Sequence, residues 1–427
     1  MRYELIFLSR KYITELIPGE PSFGDFHRRR RLMQKSLLQN SFNRVNSGAF
    51  EVTYWDGTTE QYGKGEPSFK LIFHEKVPYG QIVKDPILTF GEAYMDGAID
   101  LYGEMDKIIA LANSNLNVFG QNRKSRLLSK VFSRWPLPTP LRKQLEDVQY
   151  HYDLGNDFFS LWLDETMSYS CAYFQRTEDS LTQAQIQKID HVLKKLQLSP
   201  GETFLDIGSG WGWLIIRAAQ EYGVKATGIT LSQEQYRGTL RRIVELGLED
   251  RVEVELMDYR VLTESGRTFD KISSVGMLEH VGQANYPHFM LALQKLLKEG
   301  GLALLHTITH TKEAPVNSWI ENHIFPGGYI PSLREVIWLL PDYDFHVIHV
   351  ESLRLHYAMT LERWAEGFEK HVDKVQEMYG DRFVRMWRLY LRSCAASFRV
   401  SGQSVHQILF SKGLNNDLAL TLRHLYN

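Results

Sequence analysis

A short apolar segment, Thr203 to Ile207, runs directly into Gly208-Ser209-Gly210-Trp211-Gly212, and apolar residues at helical spacing follow from Trp213 to Tyr222. Strand, glycine turn and helix in that order bring the N–H groups of a helix start against the carboxyl end of a strand. Open α/β sheets bind ligands there. Glycines at 208, 210 and 212 permit positive φ and let a ligand lie on backbone that a Cβ would shield.

The turn has three readings: a structural glycine turn, a dinucleotide site, or a nucleoside site of the S-adenosylmethionine kind. A dinucleotide fingerprint requires G-x-G-x-x-G and an acid about twenty residues on. Here the spacing is G-x-G-x-G, and the next apolar segment ends in Gly228-Ile229-Thr230-Leu231-Ser232 with no carboxylate. The nucleoside reading therefore leads. Asp206 stands at the end of the first strand, while Thr230 and Gln235, flanking Leu231, are the groups left to meet a ribose. Asp258, at the end of a third segment, is placed to accept from an adenine amine, with Tyr259 beside it. A helix cap is the alternative for Asp258, and its place on the binding rim favours the ligand.

The elements that must hold these residues alternate. Strands are expected over Thr203–Ile207, Lys225–Thr230, Arg251–Met257, Phe269–Val275 and Leu302–Ile308, with helices at Trp213–Tyr222, Gln233–Leu246 and Tyr286–Leu297. That pattern predicts a doubly wound, mostly parallel α/β sheet. Ahead of it, Ala49 to Tyr54 and Thr58 to Tyr62 alternate apolar and polar residues around Asp56-Gly57, which predicts a β-hairpin. Asp85 to Ala110 opens with Asp85-Pro86 and continues at helical spacing, completing a smaller N-terminal α+β domain over 1–115. Residues 116–140, with Trp135-Pro136-Leu137-Pro138-Thr139-Pro140, read as a linker. A catalytic domain is expected over 141–427.

The chain has 427 residues, 43% hydrophobic and 23% charged, enough for two or three domains with real cores and unlike a disordered or low-complexity chain. Its 49 Lys plus Arg balance 51 Asp plus Glu, which argues against nucleic acid held by global charge. The strongest local run is Arg28 to Arg31, followed by Lys35. It reads as a solvated helix face or as a patch for an anionic membrane surface. Cys171 and Cys394 are too few for a disulfide framework, no Cys/His cluster has zinc spacing, and no metal is expected. Arg2 and Glu4 break the opening apolar run, and no segment of about eighteen apolar residues is free of charge. The expected location is cytoplasmic, with any bilayer contact peripheral.

Residues 150 to 425 resemble the cyclopropane-fatty-acyl-phospholipid synthases, a family of class I S-adenosylmethionine-dependent methyltransferases with a Rossmann-like fold. The resemblance rests on Tyr150-His151-Tyr152-Asp153, Tyr169-Ser170-Cys171, Leu205 to Gly212, Gly228 to Ser232, Glu279-His280-Val281-Gly282 and His306-Thr307-Ile308. It adds Tyr152, Ser168 and Tyr169 to the expected cofactor set, and it implies a bicarbonate ion near Cys171, Glu279, His306, Ile308 and Tyr357. The N-terminal domain resembles that family's smaller domain and is expected to associate with lipid. A homodimer stays open.

The implied reaction adds a sulfonium methyl to an isolated alkene of a membrane phospholipid acyl chain. The resulting carbocation must be kept from water while a base removes a proton from the added methyl and the ring closes. A small oxyanion could be held by the Ile308 N–H, His306 and Tyr357, with Glu279 fixing the protonation state of the cluster by accepting a hydrogen bond. Cys171 is a lone thiol whose ordinary role is a small buried hydrophobe. Rings of Trp319 to Tyr329 and of His356-Tyr357 are candidates to face the cation. The insert 309–341 is the expected acyl-chain pocket or lid. Methyl branching of the same alkene, and a lipid-binding protein with a relic nucleotide fold, are the alternatives. A methyltransferase for polar small molecules fits the aromatic insert less well.

Overall fold

The computed structural model describes residues 34–115 and 154–426. The Arg28–Arg31 run, the expected linker 116–140 and the Tyr150–Asp153 motif with Tyr152 lie outside the described residues.

The first sheet contains β1 (Ala49–Thr53), β2 (Thr59–Gly63), β3 (Phe69–Phe73) and β4 (Ile99–Gly103), in the order β2-β1-β3-β4. The β1–β2 pairing is the expected hairpin. Its turn is closed by Asp56, whose Oδ1 accepts from the Thr58 N–H at 3.0 Å. The stretch from Asp85 is not one helical run. It forms α1 (Pro86–Met95), then β4, then α2 (Met105–Ser114). Asp85 starts α1 by accepting from the Leu88 N–H. Gly97, at φ +74°, lies just past the end of α1, in the left-handed conformation that commonly follows a helix. Ile99-Asp100-Leu101 then takes the two-residue period of a strand and pairs with β3.

The second sheet has the order β10-β11-β9-β8-β5-β6-β7. Its strands are β5 (Thr203–Ile207), β6 (Lys225–Thr230), β7 (Val252–Leu256), β8 (Phe269–Val275), β9 (Leu297–His310), β10 (Phe345–Ser352) and β11 (Gln403–Lys412). The first five pair in parallel, as expected, and β11 runs antiparallel between β9 and β10. The chain leaves β5 towards β6 in one direction and returns through β8 on the other side, so the glycine turn after β5 sits where the strand order reverses. Among the flanking helices, α3 (Leu181–Leu196), α4 (Trp213–Tyr222) and α5 (Gln233–Glu245) precede α6 (Tyr259–Glu264), α7 (Leu278–Val281) and α8 (Tyr286–Leu296). Buried apolar residues of α3 and α4 join those of β5 and β6 in one core, and those of α8 join β8 and β9 in another.

The insert contributes α9 (Ser318–His323), and two long helices, α10 (Arg354–Lys370) and α11 (Asp381–Val400), complete the domain. They meet α9 and the segment Phe158–Trp162 in an aromatic core that includes Trp364 and Trp387. The helix α11 also carries the N-terminal module: Arg385 Nη2 donates to Asp100 Oδ1 at 2.6 Å and to the Ile99 carbonyl at 2.8 Å. At the centre of this joint Gly91 of α1 faces Trp319. An ideal Cβ on Gly91 would lie 2.2 Å from Trp319 Cδ1.

Candidate active site

Eleven residues expected to surround a nucleoside line one cavity of about 160 Å³ at the carboxyl ends of β5, β6 and β7: Ser168, Tyr169, Asp206, Gly208, Gly210, Gly212, Thr230, Leu231, Gln235, Asp258 and Tyr259. The glycines differ in what they do. A Cβ on Gly210 would meet no heavy atom within 4 Å, whereas one on Gly212 would lie 2.2 Å from Thr239 Cγ2 of α5. Gly210 therefore leaves room in the cavity, and Gly212 lets the turn pack on its neighbouring helix.

The polar groups of this cavity are largely engaged with one another. Thr230 Oγ1 donates to Gln235 Oε1 at 2.7 Å. Asp258 accepts from the Arg260 N–H at 2.8 Å and pairs with the Arg260 guanidinium at 2.7 and 2.9 Å. The helix-cap reading of Asp258, which its rim position had weighed against, is thus what its side chain does, although the residue does line the cavity. Asp206 accepts from Ser273 Oγ at 2.6 Å. Burial pushes its carboxyl up to about 6, against the pull of that hydroxyl and of Lys188.

Lys188 is a residue that sequence reasoning did not select. It lines the same cavity and donates to Ser170 Oγ at 2.9 Å. Burial holds its ammonium down at about 8 despite the nearby Asp164, Cys171 and Asp206. Lys188, His191 and Lys195 occupy positions i, i+3 and i+7 of α3, and all three are buried. A charged stripe on the buried face of an amphipathic helix was the available signal.

A second cavity, of about 770 Å³, meets the first at Tyr169, Ser170, Gly276 and His280. Cys171, Glu279, His306, Ile308 and Tyr357 all line it. Glu279 stands on α7 and His306 and Ile308 on β9. The Ile308 N–H does not point at the space where an oxyanion was expected, because Glu279 Oε1 accepts it at 2.6 Å. Burial pushes the Glu279 carboxyl up against that hydrogen bond. Glu279 Oε2 and His306 Nε2 are both buried without a hydrogen-bond partner. Burial keeps the His306 imidazole neutral, helped by the positive charges of Lys188 and Lys195.

Burial also pushes the phenol of Tyr357 up, and its ring lies 4.7 Å from Phe398. The Cys171 thiol is pushed up by burial and sits near the Ala172 carbonyl, so it remains protonated. His356 is turned away from both cavities. Its ring stacks on Tyr173 at 4.8 Å and its Nδ1 accepts from the Phe174 N–H.

The wall of the larger cavity is only partly the insert, which supplies Val316, Trp319, Ile320, Phe325 and Tyr329 among others. Other parts come from α10 and α11, through Leu361, Leu389, Tyr390 and Phe398, and from the N-terminal module, whose Phe42, Phe50, Phe69, Leu71, Phe90, Leu101 and Ile108 reach the same space. Hairpin and helix patterns could not reveal this, since they identify a module's core and not which edge of that core stays open. Among the described residues, no group of three or more His, Cys, Asp or Glu could hold a metal, and no helix is long and apolar enough to cross a membrane.

A seven-stranded sheet with one antiparallel strand, and a cavity over its glycine turn, define a class I S-adenosylmethionine-dependent methyltransferase. Residues 139–408 match the family described as mycolic acid cyclopropane synthetase, and the chain belongs to that family. Residues 35–124 match a domain of unknown function (DUF7884).

The chain is 36% identical over 387 residues to a probable fatty acid methyltransferase of Pseudomonas putida, covering 87% of this chain and 95% of that one. It is 36% identical over 350 residues to the cyclopropane-fatty-acyl-phospholipid synthase of Escherichia coli, covering 80% and 87%. Among solved structures, the mycolic acid cyclopropane synthase CmaA1 complexed with SAH and CTAB superposes with a TM-score of 0.59 at 35% identity. That match covers 63% of this chain and 98% of the other.

Proposed function

We propose that the enzyme converts the cis double bond of an unsaturated phospholipid acyl chain into a cyclopropane ring. The observation that carries this reading is the junction of the two cavities. The space over the glycine turn opens at Tyr169 and Ser170 into a large apolar one, and Glu279 and His306, each with a buried polar atom that has no partner, line that second space.

S-Adenosylmethionine, when bound, supplies the electrophilic methyl group. The chain's own residues do the rest. The glycine turn gives the nucleoside backbone to lie on, and Tyr169 forms part of the wall at the opening between the two spaces. The apolar wall takes up the acyl chain and excludes water, which would otherwise trap the cation as an alcohol. Rings of Phe325, Tyr357 and Tyr390 border the space where positive charge develops. Glu279 Oε2 can accept a hydrogen bond, and His306 can donate one from Nε2. That pair fits a small ion such as bicarbonate, which carries both an O–H and a charged oxygen. Bicarbonate, when held there, supplies the base for the proton lost as the ring closes.

The site assignments carry over in these terms. Ser168, Asp206, Thr230, Leu231, Gln235, Asp258 and Tyr259 belong to the cofactor side, and Cys171 and Ile308 pack the cluster. The N-terminal module is the lipid-associating part, and Arg28–Arg31 is proposed to bring it to an anionic membrane face.

The test is a product analysis after incubating the enzyme with methyl-labelled S-adenosylmethionine and vesicles of a monounsaturated phospholipid. High-field cyclopropane proton signals on the recovered acyl chain are expected. A methyl branch with a retained double bond would replace this reading with the branching one. Absence of any labelled lipid, with label instead on added polar acceptors, would remove the lipid substrate.

A further inference from the structure

A fully buried lysine lies two hydrogen bonds from His306. Lys195 Nζ, on α3, donates to Glu351 Oε2 at 2.6 Å and to Gln407 Oε1 at 2.7 Å. The other end of the same amide, Gln407 Nε2, lies 3.1 Å from His306 Nδ1. Gln407 on β11 is the direct cross-strand partner of His306 on β9, and its side chain is itself fully buried.

The direction of each hydrogen bond follows from the chemistry of the groups. Burial opposes ionisation of Glu351, but the His191 hydrogen bond and the Lys195 charge outweigh it and hold the carboxyl at about 2. Burial pulls the Lys195 ammonium down, while the charge and hydrogen bond of the Glu351 carboxylate support it. As the partner of that carboxylate at 2.6 Å, Lys195 is an ammonium, which donates and cannot accept. The amide oxygen of Gln407 must therefore face Lys195, which turns the NH2 group towards His306. An amide NH2 has no lone pair to offer, so Nδ1 must be the bare, accepting nitrogen. The single proton of the neutral ring is left on Nε2, the atom that is buried without a protein partner beside the larger cavity.

We propose that Lys195 and Gln407 are positioning residues that fix His306 as its Nε2–H tautomer, so that it can act only as a hydrogen-bond donor towards the reacting groups. This rests on His306 belonging to the site proposed above. The arrangement gives the imidazole no acceptor function in the cavity, so His306 is not itself the base. A protonated ring would turn an Nδ1–H against the amide NH2, so the wire also keeps the imidazole from charging. The groups around it are consistent with this, since Lys188, Lys195 and His191 outnumber Glu351.

The test is nitrogen NMR of the full chain labelled at histidine, with His306→Phe to identify the signal. In the wild type, Nδ1 is expected to show the shift of a bare nitrogen and Nε2 that of a protonated one, unchanged from roughly pH 5 to 9. Gln407→Glu presents a second acceptor to Nδ1, and a proton on Nδ1 is the expected result. Gln407→Leu removes the constraint and should lower turnover by about 10- to 100-fold, with unchanged affinity for S-adenosylmethionine by calorimetry. A wild-type ring protonated on Nδ1 overturns the proposal without any variant having to fold. Full turnover in His306→Phe, with the Nε2–H tautomer present in the wild type, overturns the site assignment of His306 instead.

Discussion

Glu279 Oε1 accepts the backbone N–H of Ile308 at 2.6 Å while its Oε2, on the same carboxyl group, is buried without a partner. One oxygen is fixed by the neighbouring strand, and the geometry of the other follows from it. Glu279→Gln keeps the volume and an acceptor for Ile308, but it places an amide NH2, a donor, where the accepting Oε2 stood. Turnover is expected to fall by about 10²-fold, the size of a lost general acid–base contribution, with unchanged affinity for S-adenosylmethionine. Added bicarbonate should restore part of the rate if its binding is what weakened. Steady-state assays across bicarbonate concentrations check this. Normal turnover, insensitive to bicarbonate, would return Glu279 to a structural role.

Two glycines of one turn should separate binding from folding. Gly210 sits at φ +54° facing open space, and Gly212 at φ +82° against Thr239. Gly210→Ala costs about 1–2 kcal/mol of backbone strain and puts a methyl group into the cavity, so affinity for S-adenosylmethionine should drop about tenfold or more while the fold persists. Gly212→Ala should instead lower the melting temperature, because Thr239 or the turn must move. Calorimetry and thermal unfolding on both variants decide it, and equal effects of the two would contradict the division.

Asp206 gives the ligand-free protein a pH signature. Burial pushes its carboxyl from the ordinary 3.8 up to about 6, so folding favours the protonated form. That contribution is complete below about pH 3.8, fades as the pH rises, and is gone above about 6. It amounts to about 2–3 kcal/mol for a group this buried. Asp206→Asn should flatten this share of the fall, read from urea midpoints at several pH values. An unchanged profile would mean that Asp206 is solvated when no cofactor is present.

The joint between the modules offers a further handle. The Cβ added in Gly91→Ala would overlap the Trp319 ring, and overpacking of this kind costs about 1–3 kcal/mol. A lower melting temperature and weaker turnover on vesicles are expected. Unaltered values for both would show that Trp319 can swing aside freely.

Much of the sheet, and the cavity over its glycine turn, were legible in the sequence, because β5 is a short apolar run leading into the glycines and the helices between the following strands have clear periodicity. The strands β10 and β11 were not legible. His346 to Glu351 and Val405 to Phe410 follow or flank long helical stretches, and their pairing with β9 is a tertiary fact without a local turn signal. β4 escaped for a related reason, since five residues between two helices look like helix when their apolar spacing is compatible with both periods. Of the site, Glu279, His306 and Tyr357 came from a resemblance. Lys188, Lys195 and Gln407 could have been noticed as polar residues in otherwise buried runs, but what they touch depends on strands and helices far apart in the chain.

The larger cavity is walled by two modules, and only one of them holds Glu279, His306 and Tyr357. Phe50, Phe69 and Phe90 border the same space from a sheet and helix that supply nothing to that cluster. Part of the chamber's wall is thus encoded in a stretch of chain separate from the one that carries Glu279, His306 and Tyr357. Selection, or an engineer, can reshape that part without rewriting the cluster.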